Sequence, residues 1–483
     1  MTDIIIKQNH TASSVTGTCP HERKENMINK HLLIRFLVSF LVVSGLITIS
    51  PAFPSTASTT IIPDDQHGDI VVVYKNEAGK SKLLSLAKAI NHEFSSIHAM
   101  TVTLDESSIA ELSDDPNIEY IEKNKRISAI NEHFLVQSPA SMVKEEDQWN
   151  IEAVAAPLAW ERGLTGKGIK IGIIDSGIAA HPELNVMGGT STVDYTTSYE
   201  DDHGHGTHVA GIIGAERNGT GTAGVSPDVE LYSVKAIMST GVGYTLDVAE
   251  AIDWCIENGM DIINLSLGDS SPSPLLEKVI DRAYDKGILL IAAAGNKNVG
   301  SPVTYPAKYE KVIAVSSLDE TMNISPFSST GREIEFTAPG SAVISTYLDG
   351  GFAGMDGTSQ AAPHVAGFLA LLMQKYPDKD SSEMRAELEN YVQDLGNPGR
   401  DAYYGFGLVN MNNLDSTPPA EVSNLSVETV TTDSAGISWT NPEDSDFKHV
   451  TLYLDGAKIG DSTDTFFSLE KLKPGTLYKV RAV

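Results

Sequence analysis

Cysteine is nearly absent: Cys19 and Cys255 are the only two in 483 residues. Two such distant thiols make no disulfide framework, and Cys19 falls in a stretch expected to be removed, which leaves Cys255 alone. It lies in the helix-like stretch 251–256, where a buried, inert thiol is expected. Positive charge is also scarce, with 35 Lys and Arg against 64 Asp and Glu and a net charge of -29. Nucleic-acid binding needs clustered Lys and Arg to displace counterions, and no basic stripe is present. The acidity therefore speaks to solubility rather than to a polyanionic partner. Long apolar runs are missing too. The uninterrupted stretch 36–49 contains Ser39, Ser44 and Gly45 and falls short of the roughly 20 residues that span a bilayer.

That stretch has another meaning. It is preceded by Lys30 and His31, holds Arg35 near its start, and is followed by Ser50-Pro51-Ala52 and Ser55-Thr56-Ala57, the charge, core and small-residue pattern of a secretory signal peptide. Residues 1–57 are expected to be leader and signal, with initiation at Met27 or an extended leader, and cleavage leaves no membrane anchor. The chain is long enough for two to four domains, and its 41% hydrophobic content supports packed cores.

Residues 68–130 alternate as strand, helix, strand, helix, strand over 70–74, 82–94, 99–104, 107–112 and 118–121, a small α+β unit. Residues 131–147 are polar and acidic without a period, a linker in which, or at whose edges, a maturation cut falls. Within 148–414 the runs 169–174, 230–234, 261–265, 289–293 and 312–315 are nearly continuously hydrophobic, as strands buried on both faces are. Helical stretches such as 247–257 and 275–286 separate them. The expected fold is α/β, a doubly wound parallel sheet with helices on both faces and functional groups at the carboxyl ends of its strands. Residues 417–421 form a stiff spacer, and 415–483 has the short alternating segments of a partial all-β sandwich. It stops one strand short, which leaves an unpaired edge.

Three distant segments carry the chemistry: Asp175-Ser176-Gly177, His205-Gly206-Thr207-His208-Val209-Ala210-Gly211 and Gly357-Thr358-Ser359-Gln360-Ala361-Ala362-Pro363-His364. A serine hydroxyl is a poor nucleophile until a base takes its proton and a carboxylate orients that base, roles that suit Ser359, His205 and Asp175. Ser359 precedes the helical stretch 361–374, whose dipole favours negative charge at its start. Taken singly, each block reads equally as a turn or a helix cap. His203, His205 and His208 also admit a metal reading. In the catalytic reading His205 is the base, His203 an exposed loop residue and His208 a support of the helix start. Asn296, after a buried strand, is the candidate oxyanion donor together with the Ser359 N–H; alone it would be a turn residue.

In this order the three blocks resemble the signatures of subtilisin-like serine proteases, a resemblance that covers roughly 148–413. Gln360 stands where those enzymes often carry Met. The resemblance implies a secreted, self-processing serine endopeptidase that works through an acyl-enzyme on protein substrates as a monomer. The stretch Asp115 to Glu122 is similar to the end of an inhibitory propeptide, so 68–130 is expected to act as the chain's own inhibitor with its tail in the cleft. Substrate would lie as a strand against Val242, Gly243 and Tyr244 on one side and Ser266, Leu267 and Gly268 on the other. Thr304, where many relatives have Gly, would floor a shallow first pocket that prefers medium side chains.

Residues 218–225 resemble the calcium loop of that family. The implied ligands are the Asn218 side chain, the Glu216, Thr220 and Thr222 carbonyls, and Glu183 where relatives commonly have Asp, with a further ligand near Glu145. A bare Gly-rich loop is the other reading. Residues 472–483 resemble the end of a fibronectin type III module, with Trp439 in its core and Tyr478 at its tyrosine corner. Such a module adds binding or spacing, and would allow association with a cell surface. The competing function is an inert surface or adhesion protein on the same scaffold. It predicts a damaged site, and the sequence shows no damage.

Overall fold

The structure is a computed structural model that describes residues 2–7, 69–129, 133–138, 143–413, 422–442, 449–455, 457–474 and 476–482. The signal peptide, the 417–421 spacer and part of the 131–147 region lie outside the described residues. Two compact units divide the chain, one of residues 64–415 and one of 1–63 with 416–483.

In the larger unit the apolar runs become a nine-stranded sheet. Its order is Val392–Gln393, Leu408–Val409, Ile334–Pro339, Val312–Leu318, Leu289–Ala293, Ile262–Leu265, Lys170–Asp175, Glu230–Lys235 and Val186–Ser191. Every pair is parallel except the first. The strand period of two sends Leu289, Ile291 and Ala293 into one core and Leu290 and Ala292 into the other. The helix Thr358–Lys375 is buried from Thr358 through Leu372, as a helix apolar all round must be. The helices Thr245–Glu257 and Pro274–Asp285 cover the opposite face. Cys255 packs there, where a Cβ on Gly172 would meet its Sγ at 2.8 Å, and burial pushes its thiol pKa up. It is the inert thiol expected.

Residues 69–129 form a four-stranded antiparallel sheet in the order Ala89–Glu93, Ala99–Thr103, Asp69–Tyr74, Ile118–Lys123. The helices Glu77–Leu86 and Glu106–Ser113 pack Leu83 and Leu112 on its Ile70, Val72 and Val102 side. The helix expected over 82–94 is corrected: it ends at Leu86, and Ala89–Glu93 is a strand on Ala99–Thr103. Helical propensity in this segment yields to the backbone hydrogen bonds that the flank of Ala99–Thr103 would otherwise lack. The second face of this sheet meets the larger body. Val71, Val73, Phe94 and Ala99 join the core formed with Leu246, Ala249 and Ile280, and Glu122 accepts from Leu275 N at 3.1 Å at the start of Pro274–Asp285.

The 131–147 segment is not all linker, since His133–Ser138 pairs antiparallel with Phe352–Asp356. Sequence pattern missed it because a strand added to a hairpin edge is held by backbone bonds, which need no apolar period.

The second unit is a sandwich of Ser423–Val430, Ala435–Thr440 and Phe466–Leu469 against Thr2–Lys7, Leu477–Ala482, Val450–Leu454 and Ala457–Ser462. Trp439 is buried in its core, and the Tyr478 hydroxyl accepts from Lys473 N at 2.8 Å, the backbone tie of a tyrosine corner. In the full chain the edge expected to be open is paired: Thr2–Lys7, within the expected leader, lies antiparallel along Leu477–Ala482. An unpaired strand edge can be completed by extended chain from anywhere in the sequence. Among the described residues no helix is long and apolar enough to cross a membrane.

Phe368 is fully buried beneath the sheet. Phe368→Ala is expected to cost about 3–5 kcal/mol, read as a lower urea midpoint for the larger unit.

Candidate active site

Asp175 ends the strand Lys170–Asp175 and His205 begins the helix His205–Gly214. Both are fully buried, and Asp175 Oδ1 lies 2.6 Å from His205 Nδ1. The approach demands glycine next to the histidine: a Cβ on Gly206 would fall 2.1 Å from Gly177 O and 3.1 Å from Asp175 Cβ. Asp175 Oδ1 also accepts from Ser176 N at 2.6 Å. Both elements are tied to Asp201, which accepts from Ser176 Oγ, His203 N, Gly204 N, Thr207 N and Thr207 Oγ1. Gly206 N donates to Ser176 Oγ at 2.9 Å. Beneath them the buried Lys235 ammonium bonds Ser176 O at 2.5 Å and Asp202 Oδ1 at 2.6 Å.

Ser359 is the second residue of Thr358–Lys375. Its Oγ donates to Ser266 O at 3.1 Å, while Ser266 Oγ donates to Ser359 O at 2.9 Å. Asn296 is oriented by Thr358, whose N and Oγ1 both donate to Asn296 Oδ1, at 3.0 and 2.9 Å. This commits the carbonyl end of the amide and turns Nδ2 toward the Gly357 turn, 3.1 Å from where a Gly357 Cβ would sit.

An extended peptide already lies along the strands next to Ser266 and Asn296. Arg126–Ala129 pairs antiparallel with Val242–Tyr244 on one side and with Leu267–Gly268 on the other, and Ser128 is in register with both Val242 and Gly268. Beside it a cavity of about 80 Å³ is lined by Ser128, Gly268, Asp269, Gly295, Asn296 and Thr304 among others. Thr304 is anchored by Oγ1 on Ala294 O at 3.2 Å, and a Cβ on Gly268 would meet that hydroxyl at 2.8 Å. Val242, Gly243, Tyr244, Leu267, Gly268 and Thr304 thus share one cleft. Ser266 supports Ser359 instead of pairing with the peptide.

The calcium-type loop gathers oxygen. Asn218 Nδ2 and Thr220 Oγ1 donate to Glu183 at 3.1 and 3.3 Å, and Asn218 N and Gly219 N donate to Glu145 Oε1 at 2.8 Å each. Burial, with Glu145 and Glu216 nearby, raises the Glu183 carboxyl above the usual carboxylate range. Thr222 Oγ1 is buried without a hydrogen-bond partner among the described residues. Crowded carboxylates and an unsatisfied buried oxygen suit a hard cation. Among the described residues no three His, Cys, Asp or Glu side chains gather as a metal site; the loop would add carbonyl and amide oxygens to the Glu183 carboxylate.

His208 Nε2 bonds Val343 O and Ala353 O at 3.2 and 3.0 Å, and so ties the helix to a neighbouring hairpin. His203 is not an exposed loop residue: it is half-buried, 6.3 Å from the His205 ring centre to centre, because the Asp201 cap folds its loop inward. Asp201, Ser176 and Thr358 were missed from sequence. Asp201 had a readable signal, an acid four residues before a helix start and six before Thr207; the other two act through contacts that no local pattern marks.

A model of the subtilase family matches residues 166–407, and a fibronectin type III domain model matches 418–483. The chain is 42% identical over 382 residues to the Minor extracellular protease Epr of Bacillus subtilis (strain 168), covering 79% of this chain and 58% of that protein's length. It is 39% identical over 346 residues to the M-protease of Shouchella clausii, covering 72% of this chain and 85% of the relative. With Subtilisin Savinase of Lederbergia lenta it shares 44% identity over 262 residues, 54% of this chain and 96% of that protein. Together with the strand order, these matches show that the chain belongs to the subtilase family of serine proteases.

Proposed function

We propose that the protein is a secreted serine endopeptidase made as a zymogen, in which residues 68–130 are a propeptide that inhibits the enzyme until it is cut away. The observation that carries this reading is the extended Arg126–Ala129 strand, paired on both sides, with Val242–Tyr244 and with the Leu267–Gly268 strand that follows Ser266, the residue bonded to Ser359. A protease cleft filled by its own chain is inhibited and, at the same time, loaded for self-cleavage. The cut falls C-terminal to Ala129, at the start of the 131–147 region.

His205 takes the proton of Ser359 Oγ as that oxygen attacks the scissile carbonyl, and Asp175 holds Nδ1–H and the imidazolium that forms. Asn296 Nδ2 and the Ser359 N–H stabilise the oxyanion. Collapse breaks the C–N bond, with His205 giving its proton to the leaving amine. Water, deprotonated by His205, then releases the acyl group and restores Ser359. Calcium at Glu183, Glu216, Asn218, Thr220 and Thr222, with Glu145 alongside, would fasten the loop and plays no part in bond cleavage. Export is supported by the leader pattern and by the extracellular relative. The fibronectin-type module serves binding or spacing. The reading as an inert surface protein is disfavoured by the 2.6 Å Asp175–His205 contact, which a scaffold has no need to keep.

A fluorophosphonate probe should label the processed protein and fail on Ser359→Ala, which should also stay uncut; a folded, processed wild type that takes no label would reject the enzyme. Asn296→Ala should lower kcat by about 10² to 10³, with KM little changed. Chelation with EGTA should lower the wild-type melting temperature, with recovery on adding calcium and a smaller response in Glu183→Gln. In a peptide-library digest, medium side chains should dominate at the first subsite, with Phe and Tyr rising in Thr304→Gly.

A further inference from the structure

The helix Thr245–Glu257 turns one acidic face, Glu250, Asp253 and Glu257, toward the edge of the N-terminal sheet. Asp253 is buried and accepts from Ser95 N, Ser95 Oγ and Ser96 N at 2.8, 3.2 and 3.0 Å. Glu250 accepts from Thr101 Oγ1 at 3.1 Å. One imidazole stands between these carboxylates. His92, on the edge strand Ala89–Glu93, has Nε2 3.7 Å from Asp253 Oδ2 and Nδ1 3.9 Å from Glu250 Oε2. Phe94 closes its other side at 4.8 Å.

Other groups lie around this imidazole. On its own strand Glu93 pairs with Lys80 at 2.6 Å. The adjacent strand presents Thr101, and in the connecting loop His98 stacks on Tyr74. We infer that His92 is a proton-operated clasp, which holds the propeptide on the acidic helix while charged and loosens it as the medium turns alkaline. The inference rests on the zymogen reading above.

Burial of the ring would depress its pKa, but Asp253, Glu250 and Glu257 outweigh burial and raise it above the ordinary 6.5. Burial would likewise raise the Asp253 carboxyl, yet His92 and the Ser95 and Ser96 donors bring it down to about 2. A group whose pKa rises on docking stabilises the docked state below its free value and loses that contribution as pH climbs through the raised one. The window therefore opens above 6.5. Each unit of elevation makes the protonated complex about tenfold tighter.

The test follows the full chain through self-processing from about pH 6 to pH 10, the span in which a perturbed histidine titrates. Gels read the cut, and a chromogenic peptide reads the interval from cut to active enzyme. The mature enzyme's own pH profile is measured separately and divided out. In the wild type the interval should shorten by about tenfold per unit of pKa elevation. His92→Gln should make it short at every pH, and His92→Lys, a fixed cation, long and flat. An interval that varies with pH equally in all three proteins overturns the clasp. Absence of any cut overturns the zymogen reading instead. In that case hydrogen exchange on Ser359→Ala, corrected for intrinsic rates, tests the clasp directly: protection of Ala89–Glu93 and Ala99–Thr103 must fall with pH in the presence of His92 and not in His92→Gln, and equal behaviour rejects it.

Discussion

The buried contact between Asp175 and His205 is the constraint around which the catalytic body is built. A carboxylate and an imidazole can lie 2.6 Å apart with neither exposed only if the backbones that carry them nearly touch and the surrounding polar groups are satisfied. Gly206 allows the approach, and Asp201 and Ser176 bind strand end to helix start. Lys235 places its charge beneath. Ser359 is carried by a different element, a helix whose first four turns are buried under the central strands. Parallel strands deliver Asp175 and the Asn296 turn at one edge of the sheet, and the buried helix presents Ser359 there.

A site so enclosed is hazardous to the cell that makes it, and its cover is built from the same materials. The N-terminal subdomain buries Val71, Val73 and Phe94 against the two helices on the far face and threads its last strand through the cleft. Apolar packing supplies area without direction. Direction comes from polar contacts at helix positions: Glu122 at the start of Pro274–Asp285, and Ser95 and Ser96 on Asp253. Because these contacts join carboxylates to neutral donors and a single imidazole, the attachment is sensitive to protons where the core beneath is not.

The central strands were readable because a strand buried on both faces must be apolar throughout, and 289–293 was expected and found within the same bounds. The helix expected over 82–94 failed in its second half. Ala, Lys and Ile there are locally compatible with helix, and only the free edge of Ala99–Thr103 makes a strand of them. His133–Ser138 and Thr2–Lys7 were missed for a related reason. Both are held by backbone pairing to edges far away in sequence, which no periodicity announces.

By itself the sequence determined which side chains are available for chemistry and the order in which they come, since residue type and local turn pattern at Asp175, His205 and Ser359 do not depend on distant chain. It also determined the parallel sheet and the acidic, disulfide-free character of the larger body. Tertiary structure alone decided what those groups face. That Asn296 turns its amide by way of Thr358, that Ser266 supports the nucleophile and that His92 meets the carboxylates of a distant helix all follow from contacts across tens to hundreds of residues. Such contacts exist only once the sheet has closed, because hydrogen bonds and ion pairs act over a few ångströms of space and are blind to separation along the chain.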